Sequence, residues 1–133
     1  MRKYYLFKLN DLNIKINFKK IYLVLEELFY LNSNKFKYGT TIFNELCLPI
    51  KKEILIKNLP YNYHFNNELI IDNLENTIIE IRNICIVIET NRNFPEILKY
   101  IDKFESNLIV CDFINKDYFL LDEFIKLNFK LAI

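Results

Sequence analysis

The part of the sequence that most constrains the fold is its last third, where short β-rich runs surround one helix. Four of these runs predict strands, at residues 77–82, 84–89, 107–113 and 118–121. Between the second and third runs, Asn93 is expected to cap a helix that has Pro95 in its first turn and Glu96 reaching back to the cap. The apolar residues that follow at helical spacing end at Phe104. A strand–helix–strand unit of this kind predicts two parallel strands with a right-handed crossover, followed by an antiparallel hairpin.

The residues before this unit give a less definite pattern. Residues 3–9 (KYYLFKL) predict an opening strand, and residues 18–31 carry an apolar stripe at helical spacing. A second short helix is expected at residues 41–48, before Pro49. Residues 60–67 (PYNYHFNN) predict a loop. Three further segments fit either a helix or a strand, at residues 10–17, 50–59 and 68–74.

We therefore expect one domain over residues 1–133, because no Pro-, Gly- or Ser-rich linker and no repeat interrupts the chain. The predicted class is α/β (α+β), a mixed β-sheet of about four to five strands with about three or four helices mainly on one face. A helical insertion at about residues 10–75 would separate the first strand from the C-terminal β-β-α-β-β unit.

Composition and charge argue against several classes of function. Lys and Arg number 18 against 17 Asp and Glu, so the chain lacks the basic excess of a dedicated nucleic-acid-binding protein. Residues 35–38 (KFKY) interleave Lys with aromatic side chains, but this run is short, and we expect no direct contact with nucleic acid. A single Gly excludes a glycine-rich phosphate loop, and one His with three scattered Cys argues against zinc, so we expect no cofactor and no metal.

The cysteines favour a reducing compartment. Cys47, Cys85 and Cys111 are widely spaced, odd in number and without a CxxC motif, which predicts buried free thiols. The apolar run near the N-terminus is too short for a signal peptide, and no later run approaches the roughly 20 residues of a membrane helix. We therefore expect a cytoplasmic protein that does not contact a membrane.

Three arrangements could support catalysis, and each has a simpler interpretation. A nucleophilic Cys would have to meet His64, the only His in the chain, although no spacing supports such a pair. Glu80 and Glu89 lie on neighbouring predicted strands, where solvated sheet positions are the commoner outcome. Asp112 ends a buried strand, and we expect it to accept hydrogen bonds from the turn that follows. The residues therefore indicate no catalytic group and predict a protein that is not an enzyme.

Two consecutive segments resemble a known family. Residues 94–104 (FPEILKYIDKF) and 107–121 (NLIVCDFINKDYFLL) are similar to the sporulation inhibitor of replication (SirA) family of low-GC Gram-positive bacteria. The shared pattern is an apolar strand, Asp-Phe, a polar turn with Asn and Lys, and an aromatic strand. The residues that carry it are Asp112, Phe113, Asn115, Lys116, Tyr118 and Leu120 or Leu121.

The start of the chain also resembles this family. Residues 3–7 (KYYLF) match its opening aromatic strand, residues 25–29 (LEELF) match the core of an early helix, and Tyr38 matches loosely. Residues 50–75 do not align. The abundance of Ile, Asn and Lys beside scarce Ala and Gly indicates an AT-rich genome, which fits a low-GC bacterium.

The resemblance implies a non-enzymatic inhibitor. SirA-like proteins bind the N-terminal domain of the replication initiator DnaA and block initiation at the chromosome origin. Their partner face lies on the helical region after the first strand and on the next helical segment. Those positions correspond to Ile14, Phe18 and Asn44 here, in the region where this chain departs most from the family pattern. We expect a monomer with a protein partner; the alternative is another small phage- or host-encoded interaction or inhibitor module without enzymatic activity.

Overall fold

The structure, a computed structural model, describes residues 1–10, 18–31, 44–59, 63–66 and 69–130. Its strands are β1 (Arg2–Leu9), β2 (Cys47–Leu48), β3 (Tyr63–Asn66), β4 (Leu69–Asp72), β5 (Thr77–Ile81), β6 (Ile86–Thr90), β7 (Leu108–Asp112) and β8 (Asp117–Leu120). Its α-helices are α1 (Phe18–Leu31), α2 (Lys52–Lys57), α3 (Ile97–Phe104) and α4 (Leu121–Ile125), and a π-helical segment follows at Lys126–Lys130.

Seven strands form one continuous sheet in the order β3-β4-β5-β6-β1-β7-β8, and the short β2 pairs with the end of β1. The α+β class is therefore confirmed. The sheet is larger than predicted because residues 63–66, expected to be a loop, form an edge strand that pairs with β4. The prediction of a loop there was wrong. Tyr63 and Phe65 do alternate with His64 and Asn66, but the run is only four residues long and is flanked by the Asn and Pro residues typical of loops.

Strand β1 occupies the centre of the sheet. It pairs antiparallel with β6 on one side and with β7 on the other, so β6 and β7 run in the same direction as predicted, with β1 between them. Every strand pair in the described part of the chain is antiparallel. Residues Tyr4–Phe7 are all buried, as expected of a central strand that is covered on both faces.

Helices cover both faces of the sheet, three of the four α-helices on the first and one on the second. On the first face, Tyr4 and Leu6 pack in a core with residues of α2, α3 and α4. On the second face, Tyr5 and Phe7 pack in a core with residues of α1. The expectation of helices mainly on one face holds. On the second face, α1 is joined by Leu46 of the short helical stretch at residues 44–46.

Two boundaries differ from the predictions. The helix expected at residues 41–48 is helical at 44–46, but Leu48 and Cys47 then pair with Lys8 and Leu9 as strand β2. Helix α3 begins at Ile97 without a side-chain cap, so the predicted Asn93 cap is wrong. The backbone amide of Glu96 instead donates to the Glu75 carboxylate, 3.2 Å away in a neighbouring turn.

Two hairpins of the sheet share one turn geometry. Strands β4 and β5 are joined by residues 73–76, and β7 and β8 by residues 113–116. In each, an Asp ends the first strand and the last turn residue is left-handed, with φ of 50° at Asn76 and 54° at Lys116. The two hairpins therefore place Asp72 and Asp112 in equivalent positions.

Candidate protein-binding surface

Phe113, the first residue after β7, fixes helix α1 on the sheet. Its ring is 1 % exposed and stacks on Phe29 at 4.5 Å between centroids, with Tyr22 at 5.8 Å. Tyr22 also stacks on Tyr118 of β8 at 4.4 Å. Aromatic pairs at these separations contribute about 0.5–1.5 kcal/mol each beyond their buried area. Phe113 and Tyr118, two of the residues that carry the resemblance, thus position α1.

Polar contacts support the same docking. The Tyr22 hydroxyl donates to the Glu26 carboxylate at 2.9 Å, and Lys116 Nζ lies 3.4 Å from the same carboxylate oxygen. Burial, and then the bond to Glu26, raises the pKa of Tyr22 well above its ordinary value. The Tyr30 hydroxyl donates to the Phe113 carbonyl at 3.5 Å. Helix α1 is therefore held near both ends and presents a fixed outer surface.

Phe18 is the first residue of α1, and it is half-buried against the core of the second face. Leu46 packs against the same core from the segment that carries Asn44. The backbone amide of Asn10 donates to the Leu46 carbonyl at 3.2 Å, and its side-chain amide donates to the Glu45 carbonyl at 3.3 Å. The segments that carry Phe18 and Asn44 therefore meet the same core cluster.

The surface around these residues mixes amide, charge and aliphatic groups. Asn44 and Lys20 are exposed, and Leu48 exposes 40 % of its surface. Ile14, the third predicted partner-binding residue, lies outside the described residues. Phe18 and Asn44 together define what we call the β1-end surface. Leu48 pairs with Lys8 and points to the face of the sheet opposite to Cys47 and Phe18, so it lies outside this surface.

Sequence reasoning missed the ion pair that fixes the start of α2. Lys8 Nζ lies 2.6 Å from Glu105 Oε2, and Glu105 Oε1 accepts the Lys51 backbone amide at 3.3 Å. Glu105 is buried, and Lys8 pairs with Leu48 in the sheet. A Glu that follows a helix gives no sequence signal that its partner is about a hundred residues away. Through Glu105, this pair links the end of β1 to the residue that precedes α2.

The arrangement of a nucleophilic Cys beside His64 is not formed. His64 lies on β3 and Cys111 on β7, and four strands separate these two. At a spacing of about 4.8 Å between strands, the two backbones are roughly 24 Å apart.

Burial raises the pKa of Cys47 to about 12 and that of Cys85 to about 11, and it raises the pKa of Cys111 well above the ordinary value. All three thiols are therefore protonated near neutral pH and weakly nucleophilic.

The candidate carboxylates have structural partners. Asp112 Oδ1 accepts the Asn115 backbone amide at 3.2 Å, which is the turn contact that we expected. Glu80 pairs with Arg82 at 3.1 Å, and Glu89 pairs with Lys3 at 3.3 Å. Glu80 and Glu89 line a shallow cleft of about 200 Å³ on the half-exposed sheet face, where each carboxylate is bound to a cation.

Within the described ranges, no group of three or more His, Cys, Asp or Glu side chains is placed to hold a metal ion. None of the helices in these ranges combines the length and apolar character needed to cross a bilayer. Comparison with protein-family models gives no match, and comparison with characterised proteins gives no significant similarity.

Proposed function

We propose that this chain is a SirA-like inhibitor that binds the N-terminal domain of DnaA and restrains the initiation of chromosome replication in the cytoplasm, without enzymatic activity. The proposal is supported by the contacts that the residues carrying the resemblance make with α1. Phe113, Lys116 and Tyr118 contact α1 or its side chains and so fix the helix whose first residue is Phe18. A helix held this way can present a constant surface to a partner.

The size of the molecule is sufficient for such a complex. A standard interface buries about 800 Å² on each partner, which is roughly a tenth of the 8290 Å² surface of this chain. Phe18 is half-buried before any partner binds, so exposed residues of the same surface such as Asn44 would have to contribute contact area. The β1-end surface would therefore be the centre of the interface, with Phe18 as its aromatic anchor.

Titration calorimetry with the N-terminal domain of DnaA from the same genome tests the proposal directly. We expect a one-to-one complex that also co-elutes in size-exclusion chromatography. An absence of both heat and co-elution at tens of micromolar, with the chain shown to be folded, would contradict the proposal.

Variants locate the surface. Phe18→Ala should weaken binding by about 1–3 kcal/mol, the usual range for an aromatic anchor. Because Phe18 also packs in the core, the urea unfolding of the Phe18→Ala variant must be measured together with its affinity. Asn44→Arg places a bulky charge on an exposed position and should weaken binding without changing stability. Leu127→Ala is the control, since Leu127 is 66 % exposed in the segment beyond α4, which packs on the opposite face. Equal affinity of all three variants would remove the β1-end surface from the interface.

The alternative inhibitor module makes a different prediction. A pull-down from the native host would then recover a protein other than DnaA, and Asn44→Arg would abolish its capture. That outcome would replace DnaA as the partner while keeping the surface.

A further inference from the structure

Helix α1 carries an exposed stripe on the side that faces away from the sheet. The residues of this stripe are Lys20, Leu23, Glu27 and Tyr30, which follow one another at intervals of three, four and three residues. This is the spacing of a helix seam that packs against a second helix. Leu23 exposes 45 % of its surface and Tyr30 exposes 55 %, so much of the apolar surface of the stripe is open to solvent.

The charges of the stripe are placed against the helix dipole. A helix is usually stabilised by acidic residues near its start and by basic residues near its end. Helix α1 has no acidic residue in its first turn and no basic residue in its last turn. Lys20 instead lies near the start of the helix, and Glu27 lies nearer its end. The stability of α1 alone therefore does not explain these two charges.

Lys20 and Glu27 are also available to a second molecule. The neighbouring Glu26 accepts a hydrogen bond from Tyr22 and lies 3.4 Å from Lys116 Nζ. In contrast, the ion pairs within the described part of the chain include neither Lys20 nor Glu27. Both side chains are exposed, so a partner can reach them without displacing an internal ion pair.

The two charges are symmetric about the centre of the stripe. With a rise of about 1.5 Å per residue, Lys20 and Glu27 lie about 5 Å on either side of a point just beyond Leu23. At about 100° per residue, both also lie on the same side of Leu23 around the helix. A two-fold axis through this point, perpendicular to α1, therefore brings Lys20 of one copy to the height of Glu27 of another.

We propose that a second copy of this chain packs antiparallel against the outer face of α1. Each Lys20 would pair with Glu27 of the other copy, and the two Leu23 side chains would meet near the two-fold axis. A parallel pair of helices would place like charges opposite each other, so the charge pattern selects the antiparallel arrangement. The stacking of Phe113 on α1 would hold each helix in place on its own sheet.

The stripe is short, so the dimer should be weak. Even with the exposed Leu31 it spans fewer than two heptads, whereas a stable coiled coil needs about three or more. Contacts of this size belong to the transient class, below about 1,200 Å² in total. We therefore expect a monomer at low micromolar concentration and a dimer above about a hundred micromolar. The stripe borders the β1-end surface at Lys20, but its test uses this chain alone and is independent of DnaA.

Sedimentation equilibrium of the full chain, from about 10 µM to about 1 mM, tests the proposal. We expect a reversible equilibrium between monomer and dimer. A monomer throughout this range would overturn the proposal and would leave the stripe to a helix of another protein.

Charge reversal identifies the pairs. Lys20→Glu and Glu27→Lys should each weaken the dimer about tenfold, because each creates two like-charge pairs in it. Both changes agree with the helix dipole, so α1 should stay folded, which circular dichroism checks. An equimolar mixture of the two variants should form a heterodimer with about the original affinity, because every pair is again opposite in sign. Self-association of either variant like that of the unaltered chain, or a mixture that stays monomeric, would refute the antiparallel pairing.

An apolar substitution and two controls locate the contact. Leu23→Ala should weaken the dimer at least about tenfold, because both copies lose apolar contact at the axis. Leu127→Ala is its matched control, since Leu127 is 66 % exposed in the segment beyond α4. Glu123→Lys is the matched control for Glu27→Lys, since Glu123 is exposed on α4. Both controls should dimerise like the unaltered chain. Equal affinities of Leu23→Ala and Leu127→Ala, or a tenfold loss in Glu123→Lys, would place any dimer contact on another surface and overturn the proposal.

Discussion

The β4–β5 and β7–β8 hairpins have the same turn length, a left-handed final turn residue and an equally buried Asp, yet among the described residues only Asp112 has a cation beside it. The difference arises from the strand order. Strand β1 lies next to β7, so Arg2 at its start approaches Asp112, whereas β4 is separated from β1 by β5 and β6. Local sequence sets the geometry of a turn, and the neighbouring strand sets the charge environment of its side chains.

The largest expected difference between the hairpins comes from removing each carboxylate. Asp112→Ala should lower the free energy of unfolding by about 2–4 kcal/mol, because Asp112 accepts two hydrogen bonds from Asn115 and lies near Arg2. Asp72→Ala should cost about 1 kcal/mol, since it removes one hydrogen bond from the Leu74 amide. Urea unfolding measures both values. Equal losses would show that the two carboxylates are energetically equivalent despite their surroundings.

Replacing each carboxylate by a neutral amide should lower the free energy of unfolding at Asp112 but not at Asp72. Asp112→Asn should lower the free energy of unfolding by about 1–2 kcal/mol, because it weakens a charge-assisted hydrogen bond. Asp72→Asn should leave stability unchanged or raise it by up to about 1 kcal/mol, since it neutralises a buried charge without a cation.

A double-mutant cycle sharpens this result. In an Arg2→Gln background, Asp112→Asn should cost less than in the unaltered chain, and Asp72→Asn should have its original effect. If the cost of Asp112→Asn were the same in both backgrounds, Arg2 would not account for the difference between the hairpins.

The smallest expected effect concerns the left-handed turn residues. Lys116→Gly should raise the free energy of unfolding by about 0.5 kcal/mol, because a Cβ at φ of 54° costs more than the entropy that Gly adds to the unfolded chain. Asn76→Gly should change stability by less than about 0.3 kcal/mol, since Asn tolerates this region. Lys116→Ala is the control that removes the surface ion pair with Glu26 but keeps the Cβ. If Lys116→Ala also stabilised the protein, the gain would come from losing the rest of the Lys side chain and not from removing the Cβ.

The elements with strong periodicity were predictable from the sequence. Helix α1 has the expected bounds, and the β7–β8 hairpin lies where an apolar run, a polar turn and an aromatic run predicted it. The turn contact of Asp112 was also expected, because an Asp that precedes a polar turn commonly accepts turn amides.

Other features depend on contacts that local sequence does not encode. The apolar character of β1 predicted a strand but not its place between β6 and β7. Strand β3 alternates aromatic and polar residues over only four positions, too few to distinguish it from a loop. The predicted partner-binding residues Phe18 and Asn44 are placed near one core cluster, while their role stays a prediction. The sequence shows that Asp72 and Asp112 both precede a four-residue turn, but the approach of Arg2 to Asp112 at 3.9 Å is visible only in three dimensions.

The central position of β1 has a consequence for how the chain reaches its native state. The first strand gains its two pairing partners, β6 and β7, only after some eighty to a hundred further residues have joined the chain. Pairings so distant in sequence slow folding, because the entropy of closing a long loop is lost before the contacts form. During synthesis, this apolar strand would thus be made well before β6 and β7, and while it lacks these partners the molecule is exposed to aggregation.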